Sequence, residues 1–185
     1  DAAFELCLNH GIENVTVSKI AHRAGIGKGT IYKHFVTKNE IFIQIILNYE
    51  RNLHDQLLIS GKNPKASPNE NSIRIYLNKR LANPSKDYLI QKLELFLVNA
   101  EGISVYLEEL FRIRKAISEI LEKSIKYSTK NDAFDNMPGE YHYLACQTLV
   151  QTAIEIYSND SLKCRPDIQD LMDLVAEIGK TIANK

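Results

Sequence analysis

Apolar positions along this chain recur at threes and fours and do not alternate over the length of a strand, so the pattern predicts helices and no sheet. Ala3, Phe4, Cys7 and Leu8 make a first stripe that Gly11 ends. Ile12 and Val15 then lead to a second helix, opened by Thr16, whose hydroxyl suits a first-turn cap. Val17, Ile20, Ala21 and Ala24 share its inner face, and Gly25 stands where the backbone must turn with positive φ. Ile26 is expected to re-enter the core. A third, short helix is expected from about Gly27 to His34, with Ile31 and Phe35 inward. The first helix packs across these two as a three-helix head. Helix, glycine turn and helix form the helix-turn-helix pattern, whose second helix fits a major groove.

The periodicity then lengthens. Ile41, Phe42, Ile45, Ile46, Tyr49, Leu53 and Leu57 predict one helix from Lys38 to about Ile59, roughly 30 Å long at 1.5 Å per residue. It is the natural connector between the head and the rest. Residues 60–71 carry Gly, Pro, Ser and Asn without periodicity and read as a loop. Further helices are expected at about 72–82, 85–100 and 104–128, broken by Pro84 and Gly102. Leu89, Leu93, Phe96 and Leu97 face inward on the second of these. Leu107, Leu110, Phe111, Ile117, Ile120, Leu121 and Ile125 do so on the third. Loops at 130–138 and 159–166 bracket a helix at about 139–158, and a last helix runs over about 167–183. Both final helices carry apolar residues on more than one face, which suggests burial on two sides. The expectation is an all-α chain of about nine helices.

Composition narrows the class. At 185 residues and 44% hydrophobic, the chain is long and apolar enough for a packed core. No apolar run approaches the ~20 residues that cross a bilayer; residues 41–47 are interrupted by Gln44. Cys7, Cys146 and Cys164 are odd in number, widely spaced and without a CxxC pair, so a disulfide framework or zinc site is not expected and a reducing cytoplasm is. The chain opens at Asp1 already in helical pattern, and its extreme N-terminus is expected to be missing.

Charge is where the head differs from the rest. Between Asn14 and Asn39 there is no Asp or Glu, while Lys19, Arg23, Lys28, Lys33 and Lys38 are cationic. The whole chain balances 23 basic against 23 acidic residues, so the remainder is left with 18 against 23. A solvated helical hairpin usually mixes its signs; a module of one sign suits a polyanion. Thr16 and Ser18 sit at a helix start, where hydroxyls and free amides meet phosphate. Lys28, Thr30 and Lys33 project from the outer side of the recognition helix. Lys28 can donate to guanine and Thr30 can touch a base or thymine methyl, while a phosphate role is nearly as good for Lys28 and Lys33. Gly29 lets the helix approach closely.

These residues resemble the TetR family of bacterial transcriptional regulators. Residues 20–26, IAHRAGI, are similar to its "IA..AGV" segment; residues 29–35, GTIYKHF, are similar to its "GTLY.HF" recognition helix; Lys38 with Glu40-Ile41-Phe42 looks like the start of its long fourth helix. The match covers about fifty residues, and beyond Glu50 only length and helical character agree. The resemblance implies a head at 1–37 and a ligand-binding and dimerisation domain at 38–185. It makes Lys38 a phosphate-binding lysine and brings Tyr32 and His34 to the DNA backbone. It implies a homodimer through the last two helices and repression of an operator, relieved by a small ligand. Tyr49, Leu53, Phe96, Tyr106, Phe111, Arg114, Tyr141, His142 and Cys146 are the candidate pocket wall, for an apolar or amphipathic ligand. No cofactor is implied.

Other classes fit less well. His10, His22, His34, His54 and His142 are scattered, and no HExxH, GxSxG or GKS/T motif occurs, so catalysis has no support in the sequence. A helical protein–protein adaptor would leave the acid-free stretch without a reason. A non-inducible or nucleoid-associated DNA-binding protein remains open.

Overall fold

The computed structural model describes residues 2–60, 70–128, 144, 147, 148 and 150–155. The loops expected at 130–138 and 159–166, the last helix and most of the one before it lie outside the described residues. So does the centre of the loop expected at 60–71.

The described residues are helical throughout, with no strand among them. In order they form α1 (Ala2–His10), a 3-10 turn (Ile12–Asn14), α2 (Val17–Ala24), α3 (Lys28–Tyr32), α4 (Lys38–Ser60), α5 (Glu70–Leu81), α6 (Pro84–Leu97) and α7 (Ser104–Ser128). Residues 150–155 are helical too. No helix among the described residues is long and apolar enough to cross a membrane.

Local chemistry explains the boundaries. α1 stops at Gly11, whose φ of 78° suits glycine, and the Asn14 side chain donates to the last carbonyl, that of His10, at 2.9 Å. α4 opens with a reciprocal cap. Glu40 N–H donates to Thr37 Oγ1 at 3.2 Å, while the Glu40 carboxylate accepts Val36 N–H at 3.0 Å. Pro84 stands at the first position of α6, where its missing N–H costs nothing. Gly102 turns the chain towards α7 with φ 79°.

The chain forms two compact units. The first is Asp1–Glu50 with Ser85–Arg112. Its core takes Ala3 and Cys7 from α1, Ile20 and Ala21 from α2, and Ile31 from α3. Phe42, Ile43, Ile46 and Leu47 from α4 and Ile90 and Leu93 from α6 complete it. The rings of Phe42 and Phe96 meet edge to face, 5.6 Å between centroids. Asp87 is fully buried there but not orphaned: Tyr49 donates its hydroxyl and Gln91 its amide to the carboxylate. The second unit is Arg51–Pro84 with Ile113–Lys185. Its described core clusters Leu53 and Leu57, Tyr76, Leu77 and Leu81, Ile117 and Leu121, and Val150, Ala153 and Ile154.

Several inward assignments need correction. Ile26 is 45% exposed, because the turn after α2 spends its backbone on closing the helix and leaves the side chain outside. Phe111 is 65% exposed. It lies roughly 100° round α7 from the direction shared by Leu110, Ile117 and Leu121, so it misses the buried stripe. Leu8 is exposed for the same reason on α1, where Ala3 and Cys7 take the buried side. α3 ends at Tyr32 and α6 at Leu97, both shorter than the sequence pattern predicts.

Candidate nucleic-acid interface

The head is built from α1, α2 and α3, and its geometry starts with two caps. Thr16 is extended, and its Oγ1 accepts the Lys19 N–H at 3.2 Å. At the other end Gly25 is left-handed, with φ 68° and ψ 26°. Gly25 N–H donates to the His22 carbonyl and Ile26 N–H to the Ala21 carbonyl, at 3.2 and 3.0 Å, the paired bonds of a Schellman turn. Gly27 then caps α3, and Thr30 N–H donates to the Gly27 carbonyl at 2.9 Å.

This closure buries Ile31 and leaves the rest of α3 outside. Lys28, Gly29, Thr30 and Tyr32 are exposed, as are Lys33 and His34 just beyond and Thr16 and Ser18 at the start of α2. Lys28 Nζ lies over the Tyr32 ring, 5.7 Å from its centroid. A Cβ built on Gly29 would meet nothing within 4 Å, so nothing in the protein itself demands glycine there.

Two of the head's cations are already engaged by the protein. Arg23 donates through Nε to Glu5 Oε2 at 2.9 Å, and its Nη2 reaches the same oxygen. The acid that offsets it comes from α1, outside the acid-free stretch. Lys19 Nζ donates to the Asn14 carbonyl at 2.8 Å. An open groove of about 650 Å³ runs beside them, lined by Leu6, His10, Asn14, Ser18, Lys19, His22 and Arg23.

Lys38 is placed differently from the other expected contacts. It is half-buried at the start of α4, and its Nζ donates to the Val15 carbonyl at 3.3 Å. The same ammonium lies 5.3 Å from the centroid of the Phe42 ring and 5.2 Å from that of Phe96. Cys7 is also on this inner side: burial pushes its thiol up to about 11, and the Lys38 charge pulls against that shift. Cys7 is therefore an inert thiol at neutral pH.

The candidate pocket residues fall into both compact units. Tyr49 is tied to Asp87 in the first, with the Lys86 ammonium 5.6 Å from its ring centroid. Phe96 meets Phe42 edge to face, Tyr106 is half-buried and Phe111 is exposed. In the second unit Leu53 belongs to the apolar core and Arg114 is half-buried. Tyr141, His142 and Cys146 lie outside the described residues. None of the six described candidates lines the groove in the head. Sequence reasoning missed the Thr37–Glu40 cap, which its T-x-x-E spacing signals, and the buried Asp87, which no local pattern signals.

Comparison with known proteins places these features. Residues 1–45 match the family model of bacterial regulatory proteins, tetR family. HTH-type transcriptional regulators of Staphylococcus aureus, from strains bovine RF122 / ET3-1 and USA300, are 37% identical over 46 residues, 25% of this chain and 25% of theirs. The match thus spans a quarter of the length of these curated relatives. Among solved structures, the regulator FadR from Bacillus subtilis in complex with stearoyl-CoA superposes with a TM-score of 0.71 at 19% identity, over 98% of this chain and 95% of that one. The fatty acid degradation regulator FadR from Bacillus halodurans gives 0.68 at 24% identity, over 97% and 95%. A tetR-family protein from Rhodococcus RHA1 gives 0.69 at 16%, over 98% and 93%. Residues 1–45 carry the TetR-family signature, and the chain has the fold of TetR-family regulators.

Proposed function

We propose that this TetR-family chain is a sequence-specific DNA-binding transcriptional regulator, acting as a homodimeric repressor that a small amphipathic ligand releases from its operator. The observation that carries the reading is the outer side of α3, where Lys28, Thr30, Tyr32 and Lys33 stand exposed within an acid-free stretch. Phosphate contacts position a protein on a duplex and base contacts specify the sequence. Thr16, Ser18, Tyr32, Lys33 and His34 belong to the first group. Lys28 and Thr30 belong to the second, through guanine acceptors and the thymine methyl. Gly29 supports the same reading. A glycine inside a helix costs the fold about 0.5–1 kcal/mol relative to alanine, and the open space around it means that only an outside partner gains from the missing side chain.

The dimer reading sets two heads on one duplex, with half-sites about 34 Å apart or a multiple. A ligand acts through its unequal affinity for the DNA-competent state and the other state. A protein of the same fold holds stearoyl-CoA, an amphipathic molecule, and a ligand of that kind is the one we propose.

Selection of bound duplexes from a random pool tests the DNA reading. The expected product is a palindromic site whose binding weakens steeply with salt. Recovery of no sequence, or binding that salt leaves unchanged, overturns it. Titration of a long-chain acyl-CoA with and without the selected duplex tests release; equal affinities remove the ligand from the account.

A further inference from the structure

We infer that Lys86 is a positioning residue for the head: in the first turn of α6 its ammonium clasps α1 to α4, and α1 hands that position on to the end of α2. The consequence for binding rests on the function proposed above; the clasp rests on geometry alone.

Two rings from two helices hold the Lys86 ammonium. The ring centroid of Phe4 on α1 lies 5.4 Å from Nζ, and that of Tyr49 on α4 lies 5.6 Å from it. Both distances are within the roughly 6 Å at which a cation is drawn to an aromatic face. The two rings are half-buried, and they come from segments far apart in the sequence. The residue after Lys86 anchors the clasp. Asp87 is fully buried, and its carboxylate accepts the Tyr49 hydroxyl and, at 3.3 Å, the Gln91 amide. Tyr49 is therefore gripped twice by the start of α6, at its hydroxyl by Asp87 and at its face by Lys86. A buried carboxylate that loses a donor is costly, so Tyr49 has one favoured place and α6 stays against α4 there.

α1 carries that position into the helix-turn-helix. Glu5, the residue after Phe4, accepts Arg23 Nε at 2.9 Å, and Arg23 Nη2 reaches the same oxygen. Arg23 stands in the last turn of α2, just before the left-handed Gly25 that leads the chain into α3. Contacts thus run without a gap from α6 and α4, through Phe4 and Glu5, to the turn that aims α3. A chain of contacts becomes a relay when its two ends are energetically coupled, and that coupling is what the experiment reads.

The binding arm uses the full chain, a random-sequence duplex and a duplex recovered by selection, at a temperature where circular dichroism shows each variant folded. Lys86→Met keeps the stem and removes the charge; Phe4→Leu removes the ring. Each should weaken binding to the selected duplex by about two- to fivefold, the worth of one cation–ring contact at an exposed site. The double variant should lose little more than either single one, because both break the same contact. Lys86→Arg should restore part of the loss, and Phe4→Tyr, which keeps a ring, should bind like the unaltered chain. The salt slope of Lys86→Met on the random-sequence duplex should equal that of the unaltered chain.

The second arm is nuclear magnetic resonance of the free chain. Lys86→Met should move the amide signals of Arg23 and Gly25, and the same change made in a Glu5→Gln background should leave them in place. Additive binding losses overturn the clasp, as do Arg23 and Gly25 signals that Lys86→Met does not move. A slope that falls by about 0.9 marks Lys86 as a phosphate contact and overturns it too. If the unaltered chain binds neither duplex, the DNA reading fails; the clasp then stands on the moved amide signals and falls if they are unmoved.

Discussion

Lys28 lies 5.7 Å from the ring centroid of Tyr32 with both side chains in solvent, whereas Lys38 lies 5.3 and 5.2 Å from the rings of Phe42 and Phe96 and is half-buried. The chemistry is the same in the two places and the surroundings are opposite. In water an ammonium over a ring gains about 0.5–1 kcal/mol, and up to ~2 when it is desolvated. The exposed pair is cheap to break, so the charge is available to an anion. The half-buried pair is reinforced by the Val15 carbonyl and by a ring from α6. Within one head, exposure separates a cation open to solvent from one already engaged by the protein.

Four measurements break or sharpen that contrast. The largest effect belongs to the buried side. Phe42→Ala removes a fully buried ring and both of its contacts, and should cost about 3–5 kcal/mol in urea unfolding. A loss near 1 kcal/mol would mean that the ring does not anchor this region. On the exposed side, Lys28→Ala should leave unfolding unchanged within ~0.5 kcal/mol. It should relax discrimination at one base pair by about 1–3 kcal/mol, read from affinities for single-base variants of the selected site.

Gly29→Ala divides the two roles at a single residue. With open space around the new methyl group, it should stabilise the fold by about 0.5–1 kcal/mol. It should also weaken duplex binding, because the methyl group stands between α3 and the groove. Gain in both would remove the close approach from the model of binding. The last effect is alkaline. The folded Cys7 thiol titrates at about 11 against an ordinary 9.0, so its folded state prefers the neutral thiol. That preference contributes stability in full below pH 9 and is lost as pH rises from 9 to 11. The difference in unfolding free energy between Cys7→Ala and the unaltered chain should therefore shrink across that window and stay flat below it.

Much of the head was legible from residues near one another in sequence. Thr16 and Gly25 announce the ends of α2 because a cap and a left-handed turn are decided within a few residues. The long α4 and α7 follow from sustained periodicity, and α7 has the bounds the pattern predicts. The Thr37–Glu40 cap was legible by its T-x-x-E spacing, although the sequence reading passed over it. Ile26 and Phe111 were not, because periodicity gives a face without saying which part of it finds a neighbour. Whether the candidate pocket residues, drawn from several helices, converge depends on packing that no local pattern encodes.

The sequence by itself determined the helical class, the helix-turn-helix with its capped ends, and the acid-free stretch that gives the head its local excess of positive charge. Those are matters of spacing, turn chemistry and counted charge, and each is settled over a few turns of chain. Only the tertiary structure decided where each charge points. Glu5 reaches Arg23 across eighteen positions, and Lys38 turns towards a carbonyl and two rings drawn from distant segments. The physical reason is that a side chain's partner is chosen by proximity in space, and for residues far apart in sequence that proximity exists only once the helices have packed.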